Sequence, residues 1–116
     1  MKFKLIMAIV DDGKTRQLLK AAREAGATGS TVITNVRGEG GTRSFGILGL
    51  EITDIRDVLL FLVEARRSRR VLEKLAEVGQ FEQASGTGIA LQLDVEDALG
   101  VRHQMMQLAD ELKQEI

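Results

Sequence analysis

Two kinds of hydrophobic pattern alternate along this chain, and their order limits the folds that it can adopt. Phe3–Val10 is a short, nearly continuous apolar run bounded by charge, which is typical of a strand buried on both faces. Apolar residues then recur at three- and four-residue spacing, at Leu18, Leu19, Ala22 and Ala25. This spacing predicts an amphipathic helix, and Gly26 follows where a left-handed residue commonly ends one.

The rest of the chain repeats this order. Ser30–Val36 is rich in β-branched residues and predicts a second strand, and Val58–Val63 predicts a third. A second helix is expected from about Ala65 to Val78. Ile89–Val95 alternates between apolar and polar residues, as a strand with one apolar face does. The order β-α-β-β-α-β is the ferredoxin-like split pattern, an α+β fold with an antiparallel sheet.

The C-terminal segment predicts one more helix. Its apolar residues, Met105, Leu108, Leu112 and Ile116, lie on one stripe. Because a helix this short is marginal by itself, the stripe is expected to dock on the domain. The 116 residues are enough for one domain. We therefore expect a ferredoxin-like domain over residues 1–103 and a helical extension over residues 104–116.

One face of the predicted sheet has no helix to cover it. Two helices cover only one face of a four-stranded antiparallel sheet, yet the first and third predicted strands are apolar on both faces. Each large aliphatic side chain left in water forgoes about 1.5–3 kcal/mol of burial. Monomers rarely tolerate a large patch of this kind, so the sequence predicts an oligomer in which other copies cover the open face.

Composition excludes several classes of function. Sixteen Lys and Arg against 17 Asp and Glu give a net charge of −1, so nucleic acid is not an expected partner. The absence of cysteine excludes disulfides, thiolate metal sites and cysteine nucleophiles, and it is compatible with the cytoplasm. The apolar run after Met1 stops at Asp11, too short for a secretory signal, and no span reaches membrane length. A soluble, cytoplasmic protein is expected.

Two glycine-rich segments could bind an anion through their backbone N–H groups. One is the polar loop Arg37–Gly46, and the other is Ser85–Gly88, just before the last predicted strand. Taken singly, each is more simply explained as a flexible loop or a tight turn. Their occurrence together in one small domain, with Arg37 and Arg102 as counter-charges, favours a phosphate ligand.

In the order and spacing of these motifs, the chain resembles the PII-type signal-transduction proteins (nitrogen regulatory protein P-II). The resemblance extends over about Lys4 to Val101. Val36–Gly40 looks like the Val-Lys-Gly-Phe-Gly start of the family's T-loop, and Gly86–Ile89 looks like its Gly-Asp-Gly-Lys B-loop. The stretches Ala25–Val32 and Leu93–Val95 also resemble the corresponding parts of this family.

The resemblance implies a homotrimer with three nucleotide sites in the clefts between subunits. It places nucleotide-binding residues at Thr31, Gly38, Gly40, Gly86, Thr87, Gly88 and Arg102, and Arg37 is added to them as the counter-charge named above. Thr31 and the loop glycines would line the adenosine and inner phosphate, Gly86–Gly88 would wrap the phosphates, and Arg102 would supply charge. No catalytic residue and no metal site is implied.

Several positions depart from the family pattern. Ile89 replaces the B-loop lysine, Gly100 replaces one of two C-terminal arginines, and Gly41 and Thr42 replace an arginine and a glutamine after the T-loop glycines. Because each charged hydrogen bond to phosphate contributes roughly 1.5–3 kcal/mol, these losses weaken triphosphate binding. AMP, ADP or a cyclic nucleotide is therefore favoured over Mg-ATP with 2-oxoglutarate, although ATP is still possible.

The function expected from the resemblance is that of a non-enzymatic regulator. Nucleotide binding would order or release the loop Arg37–Gly46, and so change the surface presented to a target protein such as a membrane transporter. No cofactor beyond the effector nucleotide is implied. Two alternatives share the architecture: a CutA-like trimeric metal-handling protein, and an acylphosphatase-type hydrolase using Arg37 and Asn35.

Overall fold

The computed structural model describes residues 1–37, 55–84 and 86–115. Within them the elements are β1 (Phe3–Asp11), a short 3-10 turn (Asp12–Lys14), α1 (Thr15–Ala25), β2 (Thr31–Val36), β3 (Arg56–Glu64), α2 (Ala65–Gly79), β4 (Gly88–Asp94) and α3 (Arg102–Glu115). The predicted α+β fold is confirmed. The sequence also predicts extended structure over residues 47–53, which lie outside the described residues. No helix that the described ranges form is long and apolar enough to cross a membrane.

The strands of the described residues form one antiparallel sheet in the order β2-β3-β1-β4. The two strands that the sequence predicts to be buried on both faces, β1 and β3, are therefore central. Strand β3 begins two residues earlier than predicted, at Arg56, because this residue still pairs with Asp11 of β1. Strands β2 and β4 are the edges of the described sheet.

Helices α1 and α2 pack on one face of the sheet and form the core. The buried side chains of this layer include Ile6, Ala8, Val10, Leu18, Leu59, Phe61, Val71 and Leu75. They come from alternate positions of the strands and from one stripe of each helix, as the two periodicities predict. Helix α1 ends at Gly26, whose φ of +123° is readily adopted only by glycine and whose N–H bonds back to the carbonyl of Arg23.

The opposite face of the sheet is also apolar. The register places ten aliphatic side chains on it, namely Leu5, Met7, Ile9, Ile33, Val58, Leu60, Leu62, Ile89, Leu91 and Leu93. We call these residues the open face. None of the ten is buried, and Ile33 and Leu93 at the two edges are 48% and 42% exposed. A single copy of the described chain therefore leaves this layer in partial contact with water.

Helix α3 docks with a different stripe from the one predicted. Leu108 is 1% exposed, but Met105 is 36% exposed and Met106 is 60% exposed. The docked residues are Gln104, Leu108 and Glu111, because Gln104 donates to the Thr28 hydroxyl and Glu111 pairs with Arg67. The Met105 prediction is wrong because polar contacts set the rotation of the helix. The side chain of Leu112 and all of Ile116 lie outside the described residues.

Asp11 provides a pH-dependent test of local stability. Its carboxylate accepts the Gly13 backbone N–H at 3.0 Å at the start of the 3-10 turn, and this hydrogen bond lowers the pKa of the carboxyl. We expect Asp11→Ala to lower the free energy of unfolding by about 1 kcal/mol at pH 7. A lowered folded-state pKa contributes stability above the unfolded-state pKa, and this is lost as pH falls through the folded-state value.

Urea unfolding at pH 7 and near pH 3 checks this expectation, since the difference between wild type and Asp11→Ala should shrink at the lower pH. The control is Asp110→Ala, which removes an exposed carboxylate of α3. A difference that stays constant between the two pH values would contradict the assignment.

Candidate functional site

The strand order divides the predicted site residues between two edges of the sheet. Thr31 begins β2 and Arg37 directly follows it, whereas Gly86–Gly88 leads into β4. The two edge strands are three strand spacings apart, about 14 Å. The described part of one chain therefore does not bring the two groups together. Gly38 and Gly40 lie outside the described residues.

Arg37 and the Gly86–Gly88 turn nevertheless lie toward the same end of the sheet. Val36 pairs with Arg56, Arg56 pairs with Asp11, and the neighbouring Val10 pairs with Gly88. A β-bulge between Ile33 and Val36 interrupts β2 just before Arg37. Bulges bend a strand and redirect the chain that follows.

The Gly86–Gly88 turn is held by the ring of Phe81. A Cβ atom on Gly88 would clash with this ring, and the φ of Gly88 is +155°, so both space and backbone conformation require glycine here. A Cβ atom on Gly79, the last residue of α2, would clash with the same ring. Phe81 is thus packed closely against two backbone segments, and the sequence analysis did not identify it. An aromatic residue between two glycine positions is the signal that could have.

Thr87 ties the same turn to the end of α2. Its hydroxyl lies 2.9 Å from the carbonyl oxygens of both Gln80 and Ala84, to which it donates. Gln80 caps α2 in the left-handed conformation, with a φ of +56°. The single hydroxyl proton is thereby used within the chain, so the groups that this turn could offer to an anion are its backbone N–H groups.

A groove of about 430 Å³ lies beside this turn, between α2 and β4. Its walls are apolar at Leu72, Phe81 and Ala90, and charged at Arg69 and Glu73. The two charged residues form an exposed ion pair at 2.8 Å, four residues apart on α2. Since Glu82 also lines the groove, its walls carry one more acidic than basic side chain.

Arg102 belongs to the helix that contacts the segment before β2. It is the first residue of α3, and its side chain is exposed, as is that of His103. Two residues later, the Gln104 amide donates to the Thr28 hydroxyl at 3.0 Å. Thr28 precedes Thr31 by three residues, so this hydrogen bond links the first turn of α3 to the segment that leads into β2.

The basic cluster Arg66–Arg70 is divided by the geometry of α2. Arg66 is exposed and pairs with Glu64 at 2.8 Å, but Arg67 is only 5% exposed and pairs with Glu111 of α3 at 2.8 Å. A run of four arginines in five residues predicts a solvated helix face, and the burial of Arg67 is an exception to that prediction. In the part of the chain that the structure describes, no three His, Asp or Glu side chains converge as metal ligands do.

The family model of nitrogen regulatory protein P-II matches residues 3–105. A PII-like signaling protein of Thermus thermophilus is similar in structure with a TM-score of 0.61 and 23% identity, over 82% of this chain and 88% of that one.

The CPII protein of Thiomonas intermedia, solved with ADP, AMP and acetate, has a TM-score of 0.59 and 20% identity. That match covers 83% of this chain and 90% of the CPII chain. At these identities the two structures establish a shared fold. No curated protein sequence matches the chain.

The role of the Thr87 hydroxyl can be tested by stability alone. We expect Thr87→Val, which keeps the shape of the side chain and removes its donor, to lower the free energy of unfolding by about 1 kcal/mol. Thr87→Ser retains the hydroxyl and should recover most of the loss. Urea unfolding of the three proteins measures the effect, and equal stability of wild type and Thr87→Val would contradict the two hydrogen bonds.

Proposed function

The chain belongs to the nitrogen regulatory protein P-II family, and we propose that it is a non-enzymatic regulator that binds a small adenine nucleotide between the subunits of a homotrimer. Proteins of this family are in general regulatory and non-catalytic. The observation that carries the proposal is the placement of Arg37 and of the Gly86–Gly88 turn at opposite edges of a sheet whose open face is apolar. A ring of three subunits would cover the open face and would also bring the two sheet edges of neighbouring copies together.

The open face supplies the driving force for assembly. It carries ten aliphatic side chains, each contributing about 1.5–3 kcal/mol when fully buried. Packing the open faces of three copies around a common axis removes these side chains from water. Proteins of this family are typically trimeric, which supports an assembly of three subunits.

The same assembly completes the site. A contact between the β2 edge of one copy and the β4 edge of the next joins two different surfaces, and such contacts close into a ring when the rotation permits. In that ring, Thr31 and Arg37 of one subunit face Gly86–Gly88 of its neighbour. Gly38 and Gly40, which we also assign to the site, lie outside the described residues.

The charges available to the site favour a nucleotide with few phosphates. Arg37 and Arg102 are the two cations proposed to meet it, and Ile89 is an open-face residue where the family has a lysine. The CPII structure contains ADP and AMP, which supports a ligand of this class. We therefore propose AMP or ADP as the effector, in preference to Mg-ATP with 2-oxoglutarate.

The regulatory output is assigned to the T-loop, which starts at Arg37. We propose that nucleotide binding shifts this loop between two populations with different affinities for a target protein, such as a membrane transporter. The loop glycines and the residues up to Gly46 lie outside the described residues. The assignment rests on the family and on the position of Arg37 beside the proposed site.

Calorimetric titration tests nucleotide binding. We expect AMP or ADP to bind with micromolar affinity, and Mg-ATP with 2-oxoglutarate to bind more weakly. Arg102→Ala should weaken AMP or ADP binding by about tenfold, since a charged hydrogen bond to phosphate contributes roughly 1.5–3 kcal/mol. The control is Arg66→Ala, an exposed arginine on α2. Flat heats with every adenine nucleotide would refute the proposal.

Sedimentation velocity tests the assembly. We expect the wild-type chain to sediment as a trimer, and Ile33→Glu to sediment as a folded monomer, because Ile33 is already 48% exposed in a single copy. Leu60→Glu is a second variant at the centre of the open face. Lys20→Glu changes charge on the exposed side of α1 and should remain trimeric. A wild-type chain that is a stable monomer at micromolar concentration would contradict the proposal.

A further inference from the structure

We infer that Gln104 and Glu111 are positioning residues for Arg102: they hold α3 on the domain, and docking of α3 is thermodynamically coupled to nucleotide binding. The inference rests on the proposed role of Arg102 at the nucleotide. It assigns a function to the C-terminal helix, which begins with Arg102 and is otherwise mostly exposed.

The docked surface of α3 is small and mainly polar. Gln104, Leu108 and Glu111 are spaced four and three residues apart, so they lie on one side of the helix. Of the α3 side chains that the structure describes, only Leu108 is buried. Because one leucine provides limited apolar burial, the two polar anchors determine where the helix sits.

The first anchor is adjacent to the proposed site. The Gln104 Nε2 amide donates to Thr28 Oγ1 at 3.0 Å, and a Cβ atom on Gly29 would lie 3.9 Å from the same nitrogen. Gln104 is two residues after Arg102, and Thr28 is three residues before Thr31. This hydrogen bond therefore connects the first turn of α3 to the segment that leads into β2.

The second anchor is a partly buried ion pair. Glu111 Oε2 accepts from Arg67 Nη1 at 2.8 Å, and Gln107 Nε2 donates to the other carboxylate oxygen at 3.3 Å. Arg67 is 5% exposed and approaches α1 closely, since its Cδ lies 3.1 Å from where a Cβ on Gly26 would be. A charged hydrogen bond to a guanidinium held this rigidly fixes one orientation of the helix.

The connection to the rest of the chain gives α3 little additional support. Leu99 is 93% exposed in the segment between β4 and α3, and Gly100 in the same segment has a φ of +88°. Release of the two anchors therefore frees the helix that carries Arg102. Since binding linkage is reciprocal, a nucleotide that contacts Arg102 stabilises the docked helix by the same factor by which docking strengthens binding.

The experiment compares Glu111→Gln and Gln104→Ala with the wild-type protein, using two measurements. The first is the rate of tryptic cleavage after Arg102 without nucleotide, followed by mass spectrometry of the released C-terminal fragment. The second is the affinity for AMP or ADP. We expect both variants to be cleaved faster and to bind about fivefold more weakly, at the lower end of typical couplings. Nucleotide should slow cleavage of the wild-type protein.

The matched control is Asp94→Asn, which breaks the exposed Lys4–Asp94 pair at 2.9 Å and should change neither measurement. A double-variant test separates positioning from general destabilisation. In an Arg102→Ala background, Glu111→Gln should no longer reduce affinity, because the residue that it positions is absent.

The outcomes separate this inference from the proposed function. If the wild-type chain binds no adenine nucleotide, both are overturned. If it binds one and the variants bind equally well, only the coupling is overturned. If Glu111→Gln and Gln104→Ala are cleaved at the wild-type rate, the anchors do not hold α3. A loss of affinity on Glu111→Gln that persists in the Arg102→Ala background would also overturn the positioning role.

Discussion

The architecture depends on two central strands that are apolar on both faces. The register of β1 with β3 places Ile6, Ala8 and Val10 under the helices, and places their neighbours Leu5, Met7 and Ile9 on the open face. Because side chains alternate along a strand, no single register can bury both sets under α1 and α2. The second layer has to be covered from elsewhere, and further copies of the chain do this most directly. In this way the hydrophobic effect connects the fold to the proposed assembly.

The proposed site depends on the same strand order. Since β2 and β4 are the edges of the described sheet, the residues at β2 and those before β4 are separated within one subunit. The glycine turn before β4 is preorganised, because Phe81 packs against Gly88 and the Thr87 hydroxyl binds two carbonyl groups at the end of α2. A turn held in this way loses little conformational entropy on binding an anion.

Helix α3 is attached to the domain more weakly than the other helices. It touches the domain through Leu108 and two polar anchors, and it begins with an arginine that we assign to the nucleotide. A helix with so few contacts is among the elements that open most easily. Its docking can therefore respond to a ligand, whereas the core formed by β1, β3, α1 and α2 cannot do so without unfolding.

The sequence by itself determined the order of the elements, the α+β class and the two-faced character of the central strands. These follow from local periodicity and from residue type, which act over a few neighbouring positions. It also indicated the glycine turn before β4 and the end of α1 at Gly26. The family resemblance rested on the spacing of the same local motifs, and the match over residues 3–105 confirms it.

Only the tertiary structure decided which residues meet across the chain. The Arg67–Glu111 pair joins positions 44 residues apart, and Gln104 meets Thr28 across 76 residues. These contacts rotated α3 away from the stripe that contains Met105, and no periodicity within its 14 residues encodes them. Strand order likewise separates Arg37 from Gly86–Gly88. Local patterns specify which surfaces are apolar, but long-range packing and polar pairing select the partners of those surfaces.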